Sequence, residues 1–148
     1  MKIIFLDIDG VLNHALYIKS NMSGGATRGE ECISPKALNL LRHVVDNTNA
    51  KIVISSTWRI GRTMEWFIEL FDRKGWSDAP IVGLTPIKGQ LTRGEEIDLF
   101  ISNFEHRISK HVILDDDSDF RKDQPLIKTT WETGLLPSHC YMAMSMLT

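Results

Sequence analysis

Two carboxylates set two residues apart, Asp7 and Asp9, close the apolar run Ile3-Ile4-Phe5-Leu6 and are followed at once by Gly10. In an extended chain residues two apart project to the same side, so the pair has the spacing for a nucleophile and a general acid-base partner. A strand ending in a plain Asp-Gly turn has the same letters and no chemistry. Two later stretches repeat the design. Lys51-Ile52-Val53-Ile54 stops at the hydroxyls of Ser55 and Ser56, with the guanidinium of Arg59 just beyond. His111-Val112-Ile113-Leu114 stops at Asp115, Asp116, Asp117 and Asp119. Carboxylates so crowded form either a solvated loop or a divalent-cation site, and the strand end favours the cation. The remaining charge of interest is Arg93, in Thr92-Arg93-Gly94-Glu95, whose spacing is that of a capping box opening a helix. A cation there opposes the helix dipole unless an anion binds both. The alternative is a solvated arginine offset by Glu95 and Glu96.

The elements that must position these groups follow from apolar periodicity. The three runs above read as strands buried on both faces, and Ile81-Val82-Gly83-Leu84 and Leu126-Ile127-Lys128-Thr129 as two more. Between them lie helical patterns. Ser34 as N-cap and Pro35 open one that carries Leu38, Leu41, Val44 and Val45. Met64, Phe67, Ile68 and Phe71 mark a second, stopped by Gly75, and Ile97, Phe100, Ile101 and Phe104 a third. Beyond Pro137 a short helix is expected to turn Met142, Met144 and Met146 inward. Asn13 to Ile33 shows no sustained period and reads as one long loop, either a lid or a plain excursion. Trp58, Trp66 and Trp76 read as packing residues, and the histidines as structural or surface groups.

Composition narrows the class. At 148 residues and 43% hydrophobic content the chain suits one domain, residues 1–148, with a single core. The formal charge of −2 provides no broad attraction for nucleic acid. No apolar run is long enough to span a bilayer, and the start lacks a secretory pattern. Two distant cysteines, Cys32 and Cys140, form no metal or disulfide framework, which fits a reducing cytoplasm.

Alternating strands and helices imply an α/β fold with a parallel sheet, helices on both faces, and all strand ends brought to one edge by right-handed crossovers. Asp7, Asp9, Ser55, Arg93 and the Asp115-Asp116 pair then meet at one mouth, a toolkit for phosphoryl transfer. Attack of a carboxylate on a phosphate needs a cation, an arginine and hydrogen-bond donors to neutralise charge.

On these motifs the chain resembles the haloacid dehalogenase (HAD) superfamily of phosphohydrolases. The resemblance implies a three-layer Rossmann-like fold, with Asp7 as nucleophile and Asp9 as general acid and base, its backbone carbonyl also binding metal. It implies Ser55 as the phosphate-binding hydroxyl, Arg93 where the family usually has lysine, and Asp115 with Asp116 as the acidic pair. Asp115 with Asp119 fits the family's wider-spaced variant. The expected phosphate-binding set is Ser55, Ser56, Arg59 and Arg93, around Mg2+ held by Asp7, Asp9, Asp115 and Asp116.

More narrowly, Ser55-Ser56-Thr57-Trp58-Arg59 and Arg93-Gly94-Glu95-Glu96-Ile97 are similar to the small HAD domains associated with RNA-repair proteins, and to the phosphatase half of polynucleotide kinase-phosphatases. Neither Asn13 to Ile33 nor the segment after Ser55 is long enough for a cap domain, so an open site is expected. The implied partner is a phosphorylated substrate, a nucleotide or nucleic-acid end, with no membrane. Alternatives are a phosphatase for small nucleotide or sugar phosphates, and a non-catalytic module that binds metal and phosphate at nucleic-acid ends.

Overall fold

The computed structural model describes residues 1–22 and 29–148. Its centre is one wholly parallel sheet of strands β1 (Lys2–Leu6), β2 (Lys51–Ile54), β3 (Ile81–Leu84), β4 (Lys110–Asp115) and β5 (Leu126–Lys128). The strand order is β3-β2-β1-β4-β5. Ile4 of β1 aligns with Ile52 on one side and Val112 on the other. The chain builds outward from β1 to β3 and then returns to lay β4 against β1's other edge. The reversal therefore falls at β1, and in open α/β sheets ligands bind beyond the strand ends at such a point.

Because side chains alternate along a strand, each strand feeds two cores. Ile4, Leu6, Ile52, Ile54, Val112 and Leu114 share one core with α2 (Pro35–Thr48), α3 (Met64–Arg73) and α5 (Pro137–Leu147). Ile3, Phe5, Val53 and Ile113 face the other way and meet Ile97, Phe100 and Ile101 of α4 (Arg93–Asn103). This is the expected three-layer, Rossmann-like α/β arrangement.

The helix starts obey local chemistry. The Ser34 hydroxyl accepts from the Ala37 amide with Pro35 in the first turn, and Thr63 caps α3. At α4 both halves of the capping box form between Thr92 and Glu95.

Two expectations need correction. Asn13 to Ile33 is not one loop: α1 (Ala15–Asn21) begins on a ring nitrogen of His14, which accepts from the Tyr17 amide, and Glu30–Cys32 forms a single 3-10 turn. The missing apolar period is explained by burial of Ala15 alone within α1. Residues 23–28, where part of the expected lid falls, lie outside the described residues. On α5 the inward positions belong to Cys140, Ala143 and Leu147, while Met142 and Met146 are exposed and only Met144 packs against the core. Among the described residues no helix is long and apolar enough to cross a membrane.

Candidate functional site

Backbone hydrogen bonds continue one residue past the strand ends and align the site. The Asp7 amide donates to Leu114 O at 2.9 Å, Ser55 to Leu6 O at 2.8 Å and Thr129 to Asp115 O at 3.0 Å. Asp7, Ser55 and Asp115 thus sit abreast at the carboxyl edge. The chain then turns sharply at Gly10, whose φ of +81° favours glycine. A Cβ on Gly10 would stand 2.2 Å from Oδ2 of Asp116. This glycine therefore makes both the turn and the room for the second acid of the pair.

Asp7, Asp115 and Asp116 each offer a carboxylate oxygen, and these oxygens lie within 4.8 Å of one another. Arg93 answers them from the first turn of α4. Its Nη1 is 3.2 Å from Asp7 Oδ2 and 2.9 Å from Asp115 Oδ2. The other oxygen of Asp7 accepts from the Ile8 amide at 2.8 Å, and that of Asp115 from the Asp117 amide at 2.9 Å. Burial, reinforced by the Asp115 carboxylate, pushes the Asp7 carboxyl up to about 8. Arg93, the Ile8 amide and the Ser56 hydroxyl pull the other way and do not prevail. Asp116 is raised for the same two reasons, burial first and Asp115 second. Burial alone would loosen the Arg93 proton, but Asp115 and Asp7 outweigh it and hold the guanidinium above its ordinary value.

Asp9 has a separate set of partners. Its Oδ1 accepts from Asn13 Nδ2 at 2.8 Å and from the indole Nε1 of Trp58 at 3.1 Å. Trp58 sits in the 3-10 turn Thr57–Arg59, whose start is capped by the Ser56 hydroxyl. The packing role expected of Trp58 is correct, since it is buried, but its N–H also fixes an acid of the mouth. Neither Asn13 nor Trp58 was expected there. A polar residue four positions after Asp9 and a tryptophan beside the Ser55-Ser56 pair were the available signals.

Arg59 is not brought to the mouth. It donates to the carbonyls of Thr85, Ser56 and Pro86 and forms a buried ion pair with Glu96 at 3.0 Å. Burial lowers its pKa despite Glu96. Glu96 is thus committed to Arg59 and to the Lys88 amide, and Glu95 to the capping box. Neither offsets Arg93 as the solvated reading required. Asp119 is also diverted: its carboxylate caps the Arg93 amide at 3.0 Å, which leaves Asp116 as the partner of Asp115 in the cluster.

The mouth is an open cavity of about 330 Å³ lined by Asp7, Asp9, Thr57, Arg93, Asp116 and Trp131 together with Asp117. Ser55, just past the end of β2, is buried, and its Oγ is the one buried side-chain polar atom without a hydrogen-bond partner among the described residues. Three carboxylates against one guanidinium leave an excess of negative charge. The all-oxygen donor set suits a hard divalent cation such as Mg2+. Comparisons with curated proteins and with solved structures gave no match. A family model described as the HAD domain in Swiss Army Knife RNA repair proteins matches residues 3–140, a span that runs from β1 into α5 and takes in every group described above, and the chain belongs to that family.

Proposed function

We propose that the chain is a single-domain, magnesium-dependent phosphatase that works through an aspartyl-phosphate on Asp7. The observation that carries this reading is the Asp7 carboxylate at the end of the central strand, bridged by Arg93 to Asp115 and crowded by Asp116. Asp7 attacks phosphorus and the ester oxygen leaves with a proton from Asp9, which then takes a proton from the water that hydrolyses the acyl phosphate. Trp58 and Asn13 hold Asp9 for both transfers. Arg93 faces the charge that builds on the phosphoryl oxygens. Ser55 has a hydroxyl to donate, and the Ser56 hydroxyl steadies Asp7. Arg59, locked onto Glu96, shapes the loop rather than touching phosphate.

Asp7, Asp115 and Asp116 with the Asp9 carbonyl would hold Mg2+, which supplies charge neutralisation of the phosphate when bound. The open mouth suits a phosphate borne on a nucleotide or nucleic-acid end, in a cytoplasmic setting where Cys32 and Cys140 stay thiols. The test is a screen with Mg2+ of nucleotides, sugar phosphates and phosphate-ended oligonucleotides, each with Asp7→Asn as control. Turnover lost in Asp7→Asn supports the mechanism. Turnover retained by a pure Asp7→Asn preparation removes Asp7 as nucleophile, and binding of phosphate ends with no turnover of any substrate makes the chain a binding module.

A further inference from the structure

Among the groups lining the mouth, Trp131 stands apart: the others are acids, Arg93 and Thr57, while it alone is aromatic. Its side chain is more than a third exposed, at 37%. Isolated surface aromatics are ordinary, but this one is held in place with unusual thoroughness. Its own carbonyl accepts from the Ala15 amide at 2.8 Å, at the start of α1. Two residues before it, the Thr129 hydroxyl donates to Gly10 O at 2.6 Å and the Thr129 amide to Asp115 O at 3.0 Å. Beyond it, the Leu135 amide donates to Val11 O at 2.9 Å. Gly134, at φ +64°, lets the turn close so tightly that a Cβ would meet the His14 ring at 2.6 Å. The turn is therefore tied to the loop after Asp7, to the end of β4 and to α1. The backbone of such a turn keeps Trp131 beside the mouth, so little backbone freedom is lost when a ligand covers the indole.

We propose that Trp131 is a stacking platform for a nucleobase, so that the substrate phosphate is one carried by a nucleoside or a nucleic-acid end. The inference rests on the phosphatase reading only for the identity of the phosphate group. The acids and Arg93 of the lining answer the phosphate and its charge, and Trp131 adds the aromatic face. A base needs only a π-face, and stacking tolerates any base. The wall thus offers a base the flat aromatic face on which it stacks.

The test compares adenosine monophosphate with ribose phosphate in wild type, Trp131→Phe and Trp131→Ala. The ratio of kcat/KM for the nucleotide over the sugar phosphate is expected to fall roughly tenfold in Trp131→Ala and to be largely kept in Trp131→Phe. An unchanged ratio in Trp131→Ala overturns the proposal. Binding gives a second readout that needs no turnover: in the Asp7→Asn background, adenosine monophosphate should quench tryptophan emission, and Trp131→Phe should remove most of that quenching and little of the affinity. Equal quenching with and without the indole overturns the platform. If quenching depends on Trp131 while no phosphate ester is turned over by the native chain, the platform stands and the phosphatase reading falls.

Discussion

Replacing Arg93 by alanine separates the two roles that its position allows. The guanidinium lies 3.2 Å from Asp7 and 2.9 Å from Asp115, with only 17% of its side chain exposed. At an effective dielectric constant of about 20, each contact is worth roughly 5 kcal/mol in gross Coulomb energy. Most of that is offset by desolvation of the charges, and removing one partner of a buried pair costs about 3–5 kcal/mol net. Two effects reduce the loss. The start of α4 is relieved of a cation that opposes its dipole, worth about 0.3–1 kcal/mol, and Asp7, already raised to about 8, sheds charge by keeping its proton. A net loss of about 3 kcal/mol remains, which for a domain of this size lowers the melting temperature by about 6–12 °C. The assay is thermal unfolding of wild type and Arg93→Ala in chelator and again in Mg2+. The divalent cation should return more of the melting temperature to the variant than it adds to wild type, because it restores positive charge among the same carboxylates, while turnover stays depressed. A variant that melts at or above wild type in chelator would show Arg93 to be a solvated helix-end charge and refute the electrostatic account of the cluster.

Trp58→Phe keeps an aromatic ring, though a smaller one, and deletes the N–H that holds Asp9 Oδ1. It should lower kcat about tenfold or more for alkyl phosphates, whose leaving group needs a proton, and less for activated aryl phosphates; equal losses on both would separate Trp58 from the proton transfer. Glu96→Gln leaves the Arg59 guanidinium buried without its counter-charge, and chemical unfolding should report a loss of about 3 kcal/mol with activity per folded molecule nearly kept. A large activity loss at unchanged stability would instead bring Arg59 into the site. For pH, the folded chain binds the Asp7 proton more tightly than the unfolded chain, since the pKa is raised from 3.8 to about 8. That stabilisation is complete below the unfolded value and is lost as pH rises towards about 8. A cation competing for the same oxygens therefore gains ground as the proton leaves, and the rise in melting temperature on adding Mg2+ should be larger at pH 8 than at pH 6. An equal or smaller rise at pH 8 would argue that Asp7 takes no part in metal binding.

The strands were legible because each is a short apolar run cut off by polar residues, and the helices because Ser34, Thr63 and Thr92 cap patterns with a clear apolar face. The three strand-end acids could be read for the same reason: parallel topology delivers such ends to one edge. What escaped depends on partners distant in sequence. Arg59 looked like a mouth cation until Glu96, 37 positions later, engaged it. Asp119 and Asp116 differ little as letters, and only the start of α4 draws Asp119 away to cap it. Trp131 follows a three-residue strand with no periodic signal, and its place is set by bonds that it, Thr129 and Leu135 make with Ala15, Gly10 and Val11 near the start of the chain. α1 escaped because a seven-residue helix that buries one alanine leaves almost no amphipathic trace.

Because β1 lies in the middle of the sheet, its two edges are filled at very different moments of synthesis. β2 follows after some forty residues and can pair at once, whereas β4 begins only at Lys110. A nascent chain that has reached β3 can form half a sheet with Asp7 at its rim and one side of β1 still unpaired, an edge prone to pairing with other chains. Such a half holds Asp7, the proposed nucleophile, without Arg93, Asp115 or Asp116, so the charge balance arrives with the closing of that edge. The long-range pairing of β1 with β4 is the same event that assembles the mouth, and a contact of such high sequence separation carries a large loop-closure cost. On the proposed mechanism, truncated or half-folded chains would lack the groups that turnover needs.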